Sequence, residues 1–223
     1  MGRAEVEHAS YVELVLILLT GAVHVVIELS WGAGVHGLRS AWPERTFNVS
    51  AVAMWGLYVL WRGMRQPRLW REWGFRQDTL RPAVRDCRML VGVAVAGLLL
   101  YAQAANRLAI PPTFWVVLPL YPLYGIAQQF AVQALIARNL RGLVPREGMR
   151  IFLVGSCFGA AHFPNLPLMI LTFVAGSGFA WSYSRSPNLW VLGVSHGFLG
   201  VLAYYWVLGL DPGAELIAWL RSQ

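Results

Sequence analysis

Apolar residues are gathered into long stretches separated by short polar or arginine-rich segments. Runs at 11–34, 47–63, 89–106, 114–137, 151–167, 168–183 and 189–210 are long enough, or nearly long enough, to cross a bilayer. They predict an all-α, polytopic membrane bundle of about seven helices. The fifth and sixth runs are short and meet across Pro164, Asn165 and Pro167, which predicts a tight helical hairpin. There is no internal repeat or low-complexity tract, so the sequence reads as one membrane domain over 1–223.

Composition supports the membrane assignment. Hydrophobic residues make up 57% of the chain and charged residues 13%, about half the share of a soluble domain. Mean hydropathy is +0.51. All 18 basic residues are arginine, and the formal charge of +7 would draw attention to nucleic acid in a soluble protein. In a membrane protein the positive-inside rule accounts for it, and no nucleic-acid partner is expected. With the N-terminus inside, fourteen arginines fall on inner segments and four on outer ones, which predicts a cytoplasmic N-terminus. The basic loop 62–88 mixes arginine with Trp70, Trp73 and Phe75 and is expected on the headgroup surface. The 211–223 tail carries Leu216, Trp219 and Leu220 on one side, as an amphipathic cap would.

The segment from Met1 to Ser10 carries Arg3, Glu5 and Glu7 and leads into an apolar run without a small-residue cleavage site, so a retained first helix is expected. Val6 stands where a myristoylation motif wants Ser or Thr after Gly2. Cys87 and Cys157 fall on the predicted reducing side, and no disulfide is expected.

Polar side chains inside apolar helices are costly and mark sites or helix contacts. Counted at ~1.5 Å per residue from the predicted cytoplasmic end, Gln128 and Gln129 lie ~14 Å deep, His162 ~16 Å and His196 ~11 Å. Three helices thus deliver polar groups to one layer, as a site requires. Glutamines also serve as interhelical hydrogen-bond glue, and that reading stands beside the functional one. His24 and Glu28, spaced i,i+4, share a face of the first helix at ~20 and ~26 Å. They are expected to pair locally, with Glu28 the one carboxylate well inside an apolar segment. His8 and His36 fall in or near loops and receive no role.

The run Phe158-Gly159-Ala160-Ala161-His162-Phe163-Pro164-Asn165, followed by Trp190-Val-Leu-Gly-Val-Ser-His196-Gly-Phe-Leu-Gly200, resembles the second and third motifs of the CPBP family. These are the CAAX-protease and bacteriocin-processing intramembrane proteases, also called Abi or Rce1-like. Trp73-Gly-Phe-Arg76 is similar to that family's approach segment, and the resemblance covers about 70–210. It implies a multi-helix bundle, opening to the cytoplasm, that cuts membrane-attached peptides. In the family's first motif, Glu-Glu is followed four residues on by Arg, and the first Glu activates water. The second-motif His helps to hold that water, and the third-motif His stabilises the oxyanion with an Asn four residues later. His162 and His196 match these positions. Gln128 and Gln129 stand at the two Glu positions, Gln133 at the Arg and Gly200 at the Asn. Phe158 and Asn165 belong to the same motif as support.

A carboxamide keeps the size and hydrogen bonding of Glu but cannot act as a base. The resemblance therefore implies an intramembrane endopeptidase for membrane-anchored or prenylated peptide in the bilayer of a bacterial-type cytoplasmic membrane, with its base missing or supplied from elsewhere, Glu28 being the intramembrane carboxylate available. Two alternatives accompany it. One is a catalytically silent member that binds a membrane peptide or partner protein through the same groups. The other is a divalent metal or haem held by His162 and His196, with His24. No cofactor is expected on the first two readings.

Overall fold

The computed structural model describes residues 10–31 and 42–221. The N-terminal segment with Gly2, Val6 and His8, and the 32–41 stretch with His36 and Arg39, lie outside them, as does the side chain of Trp219. The described residues are helical without strands. Their order is α1 Tyr11–Trp31, α2 Trp42–Arg65, α3 Arg68–Glu72, α4 Leu80–Ala104, α5 Thr113–Val117, α6 Tyr121–Gln129, a π-helical segment Phe130–Ala137, α7 Arg138–Leu140, α8 Glu147–Ala160, α9 Leu166–Arg185, α10 Leu189–Ala203, a second π-helical segment Tyr204–Leu208, and α11 Pro212–Arg221.

Four helices among the described residues are long and apolar enough to cross a membrane: Tyr11–Trp31, Leu80–Ala104, Leu166–Arg185 and Leu189–Leu208. Three of the seven predicted runs have another form. The second, α2, has the length but carries Glu44, Arg45, Arg62 and Arg65 within its span. The fourth is broken, because Pro119 and Pro122 lack the N–H groups a continuous helix needs, so α5 stops and α6 restarts with proline in its first turn. The fifth, α8, is 14 residues long and ends at the 161–165 turn, where Asn165 Oδ1 accepts from Leu168 N at 3.1 Å to start α9. The basic 62–88 segment is more helical than a surface loop, since Arg81, Arg85 and Arg88 ride on the first turns of α4.

The chain divides into two compact units, Met1–Leu69 with Ala131–Ala180, and Trp70–Phe130 with Trp181–Gln223. In the first, Leu14, Val132, Ile136, Leu140, Val154 and Phe158 form a buried core. Val12, Val15, Leu16 and Leu19 of α1 are exposed, as a face meant for lipid would be. At one end of α1 a buried polar knot holds the helices together. Glu13, 2% exposed, accepts from Arg62 Nη1 at 2.5 Å, from Tyr58 Oη at 2.7 Å and from Asn139 Nδ2 at 3.1 Å. Arg62 also donates to Tyr58, and Asn139 Oδ1 accepts from Ser10 N at 3.0 Å. The three donors give both oxygens of the buried carboxylate a hydrogen-bond partner. Tyr58→Phe removes one charge-assisted bond and should cost about 1.5 kcal/mol, read as a lower thermal midpoint in detergent.

In the second unit the Trp73–Thr79 turn is tied to the start of α10. Gly74 has φ +101°, and a Cβ there would meet Tyr183 Cε2 at 3.0 Å and Leu189 N at 3.3 Å, so only glycine fits without strain. Leu189 N donates to Gly74 O at 2.9 Å, Tyr183 Oη to Trp73 O at 2.9 Å and Thr79 Oγ1 to Pro187 O at 2.7 Å. Asn188 is the N-cap of α10: its Oδ1 accepts from Val191 N at 3.1 Å, while its Nδ2 donates to Arg76 O at 2.7 Å. Replacing Asn188 by Ala removes a cap and leaves a buried carbonyl short of a partner, and should lower stability by about 2 kcal/mol in the same unfolding measurement. Arg76 also grips exposed Asp78 at 2.6 Å and holds its carboxyl at about 2. That clasp is complete above the ordinary carboxylate range and is lost as pH falls through about 2.

Candidate functional site

Gln128 and His196 are brought together. His196 Nε2 lies 2.7 Å from Gln128 Oε1, and the carboxamide oxygen facing the ring can only accept, so Nε2 carries a proton and donates it. Glycines make this approach geometrically available. A Cβ on Gly125 would lie 2.7 Å from Gly197 N, one on Gly193 2.6 Å from Ile126 Cα, and one on Gly197 2.7 Å from Pro122 N and Cα. These are backbone atoms, so α6 and α10 touch along their main chains and their polar side chains meet at short range.

Gly200 lies one turn beyond His196 on the same face of α10. A Cβ there would sit 3.6 Å from Tyr121 Cδ1 and 3.8 Å from its Cε1, an ordinary contact with room for a side chain. Gln129, next to Gln128, is fully buried at the end of α6, where the helix widens into its π-helical segment. Widened turns of this kind are frequent at functional sites.

In the other unit, His162 follows the end of α8. Its Nδ1 is 2.7 Å from Phe158 O, which can only accept, so Nδ1 is protonated and Nε2 bears the lone pair. The Phe158 ring packs edge-on against it at 4.9 Å between centroids and fixes its orientation. Asn165 caps α9 and Gln133 is fully buried on the π-helical segment. On α1, the His24 ring stacks against Phe47 at 6.4 Å, with a buried Nδ1 that has no hydrogen-bond partner among the described residues. Glu28, one turn on, is buried.

The two histidines thus differ at Nε2: His196 offers an N–H through Nε2 to the carboxamide, and His162 keeps Nε2 as an acceptor. A neutral imidazole with a free lone pair is a competent base near neutral pH, whereas the amide at 128 is not. Among the described residues, no three His, Cys, Asp or Glu side chains are grouped as a metal ion would need.

Three residues of consequence stand outside the sequence expectations. Glu13, in the first turn of α1, is more deeply buried than Glu28, at 2% against 9% exposed. Tyr121 borders Gly200, and its role depends on an α6–α10 contact that no local pattern encodes. Asn188 had a readable signal, since Ser-Pro-Asn before an apolar run is an N-cap signature.

No curated protein and no solved structure matches the chain significantly. A protein-family match covers residues 110–202, from the approach to α5 almost to the end of α10, and takes in Gln128, Gln129, His162, His196 and Gly200. The family is described as Type II CAAX prenyl endopeptidase Rce1-like, and residues 110–202 of this integral membrane protein are similar to it.

Proposed function

We propose that the protein receives a membrane-anchored or prenylated peptide, as an Rce1-like endopeptidase would, and holds it without hydrolysing it by the glutamate route. The observation that carries this reading is the 2.7 Å bond between His196 and the Gln128 carboxamide. It joins the positions that match the family's first and third motifs while leaving no titratable group at 128. Gly200 also leaves the oxyanion position without its side-chain donor. No resident metal or haem is part of the proposal, and stoichiometric zinc, iron or haem in purified protein would overturn that point.

Cleavage by another route is the second reading, and the free Nε2 of His162 favours it, because an imidazole can activate water where the amide cannot. Arginine distribution supports a cytoplasmic N-terminus, so the peptide would enter from the cytoplasmic side. Reconstituted wild type and His162→Ala should both photo-crosslink a prenylated peptide, and neither should release a fragment. Fragment release by the wild type that His162→Ala abolishes would replace binding with catalysis. Failure of both to crosslink would remove the peptide reading.

A further inference from the structure

The contacts of α4 fix which of its faces turns inward. Ala83 and Cys87 are buried, Cys87 Sγ lies 3.5 Å from Ser182 Oγ, and Ser186 Oγ donates to Asp86 Oδ2 at 3.0 Å. At ~100° per residue, Arg81, Arg85 and Arg88 fall within about 60° of one another and about 180° from that packed face. All three are exposed. The positive-inside rule asks for arginines at this end of the helix, but not for three on one outward face.

Little on the protein answers this charge. Arg85 Nε reaches Asp86 Oδ1 at 3.5 Å, and the other oxygen of that carboxylate is engaged by Ser186. Arg81 and Arg88 have no hydrogen-bond or ion-pair partner among the described residues. The first turn of α4 holds no acidic residue. Cations at the start of a helix oppose its macrodipole, so helix stability does not account for them. An anion outside the protein does.

The surface that leads away from the arginines is apolar. Gly92, four residues beyond Arg88, is exposed, and a Cβ there would meet nothing within 4 Å. Beside it Met89, Val93 and Leu100 are 72–74% exposed. Because α4 is long and apolar enough to cross a membrane, this arrangement sets guanidinium groups at the bilayer edge and open apolar surface at acyl-chain depth. Guanidinium pairs with phosphate through two parallel hydrogen bonds. We infer that the Arg81, Arg85 and Arg88 face of α4 binds the headgroup phosphate of an anionic phospholipid, with an acyl chain laid along Gly92. A soluble phosphate would use the arginines alone, whereas a lipid uses both surfaces. The site is separate from the Gln128–His196 pair and does not rest on the peptide reading.

The test uses full-length protein in maltoside micelles doped with equal amounts of phosphatidylglycerol and phosphatidylcholine of one acyl length, with bound lipid read by native mass spectrometry. The wild type should retain phosphatidylglycerol over phosphatidylcholine by roughly tenfold or more. Arg88→Gln should lower that ratio by roughly fivefold, and R81Q/R88Q should bring it to about 1. Arg146→Gln is the matched control, since Arg146 is also exposed and lies on α8's approach, away from this face; it should leave the ratio unchanged. The substituted side chains are exposed, so all variants should melt with the wild type. Glycerophosphoglycerol, the same headgroup without acyl chains, should compete at least roughly tenfold more weakly than the lipid. Equal retention of the two lipids by the wild type, a preference that survives R81Q/R88Q, or an equal loss in Arg146→Gln overturns the site. Equal competition by glycerophosphoglycerol overturns the lipid as its occupant and leaves a surface for soluble phosphates in its place.

Discussion

On the proposed reading, replacing Gln128 by glutamate should raise peptide cleavage by roughly 10²–10⁴-fold over any residual wild-type rate. The substitution is nearly isosteric, so the 2.7 Å contact with His196 is retained, now with a carboxylate accepting from Nε2–H. That bond is stronger than the one it replaces and stabilises the imidazole with the proton already on Nε2. What changes is basicity, since the carboxylate can take a proton from water and the amide cannot. Gly200→Asn should add to this. A Cβ at 200 meets Tyr121 at an ordinary 3.6 Å, so the side chain can be accommodated and the missing oxyanion donor supplied. One such donor is worth about 10²–10³-fold in rate. Fragment release from a prenylated peptide, followed by mass spectrometry, reads both variants. A double variant that binds peptide and remains inert would show that amide-for-acid replacement is not what keeps this chain from hydrolysis.

The membrane character, the helical class and the His162 and His196 motifs were legible because they rest on local composition and short spacing. Four apolar runs became helices fit to cross a membrane, while the run at 114–137 fragmented at Pro119 and Pro122, a break that its hydropathy masked. Depth counting placed Gln128 and His196 in one layer, and the structure brings them to hydrogen-bond distance. It could not have specified which glutamine meets the histidine, because that depends on helix rotation. Gln128 and Gln129 differ by about 100° around α6, and rotation is set by glycines that read in the sequence only as small residues. The burial of Glu13 was not legible for a related reason: its neighbours Tyr58, Arg62 and Asn139 come from distant parts of the chain, and no local pattern along α1 encodes them.

The glycines at the α6–α10 contact make a second large effect predictable. Gly197→Leu should destabilise the protein by about 3 kcal/mol or more and separate Gln128 from His196. At 197 the added Cβ would stand 2.7 Å from Pro122 N and Cα, and proline lacks the backbone freedom to move aside. The helices must then part, and the loss includes the contact that positions the candidate site. Gly56, Gly92 and Gly97 provide the matched comparison, because a Cβ at any of them meets nothing within 4 Å. Alanine at those positions relieves the conformational cost of glycine in a helix and should leave stability unchanged or raised by up to about 1 kcal/mol. Thermal unfolding in detergent compares the two groups directly. The histidine side-chain NMR signal of His196 should report loss of its Gln128 partner in Gly197→Leu and remain in place in Gly56→Ala. If Gly197→Leu melted with the wild type and kept that signal, backbone contact between α6 and α10 could not be what builds the pair.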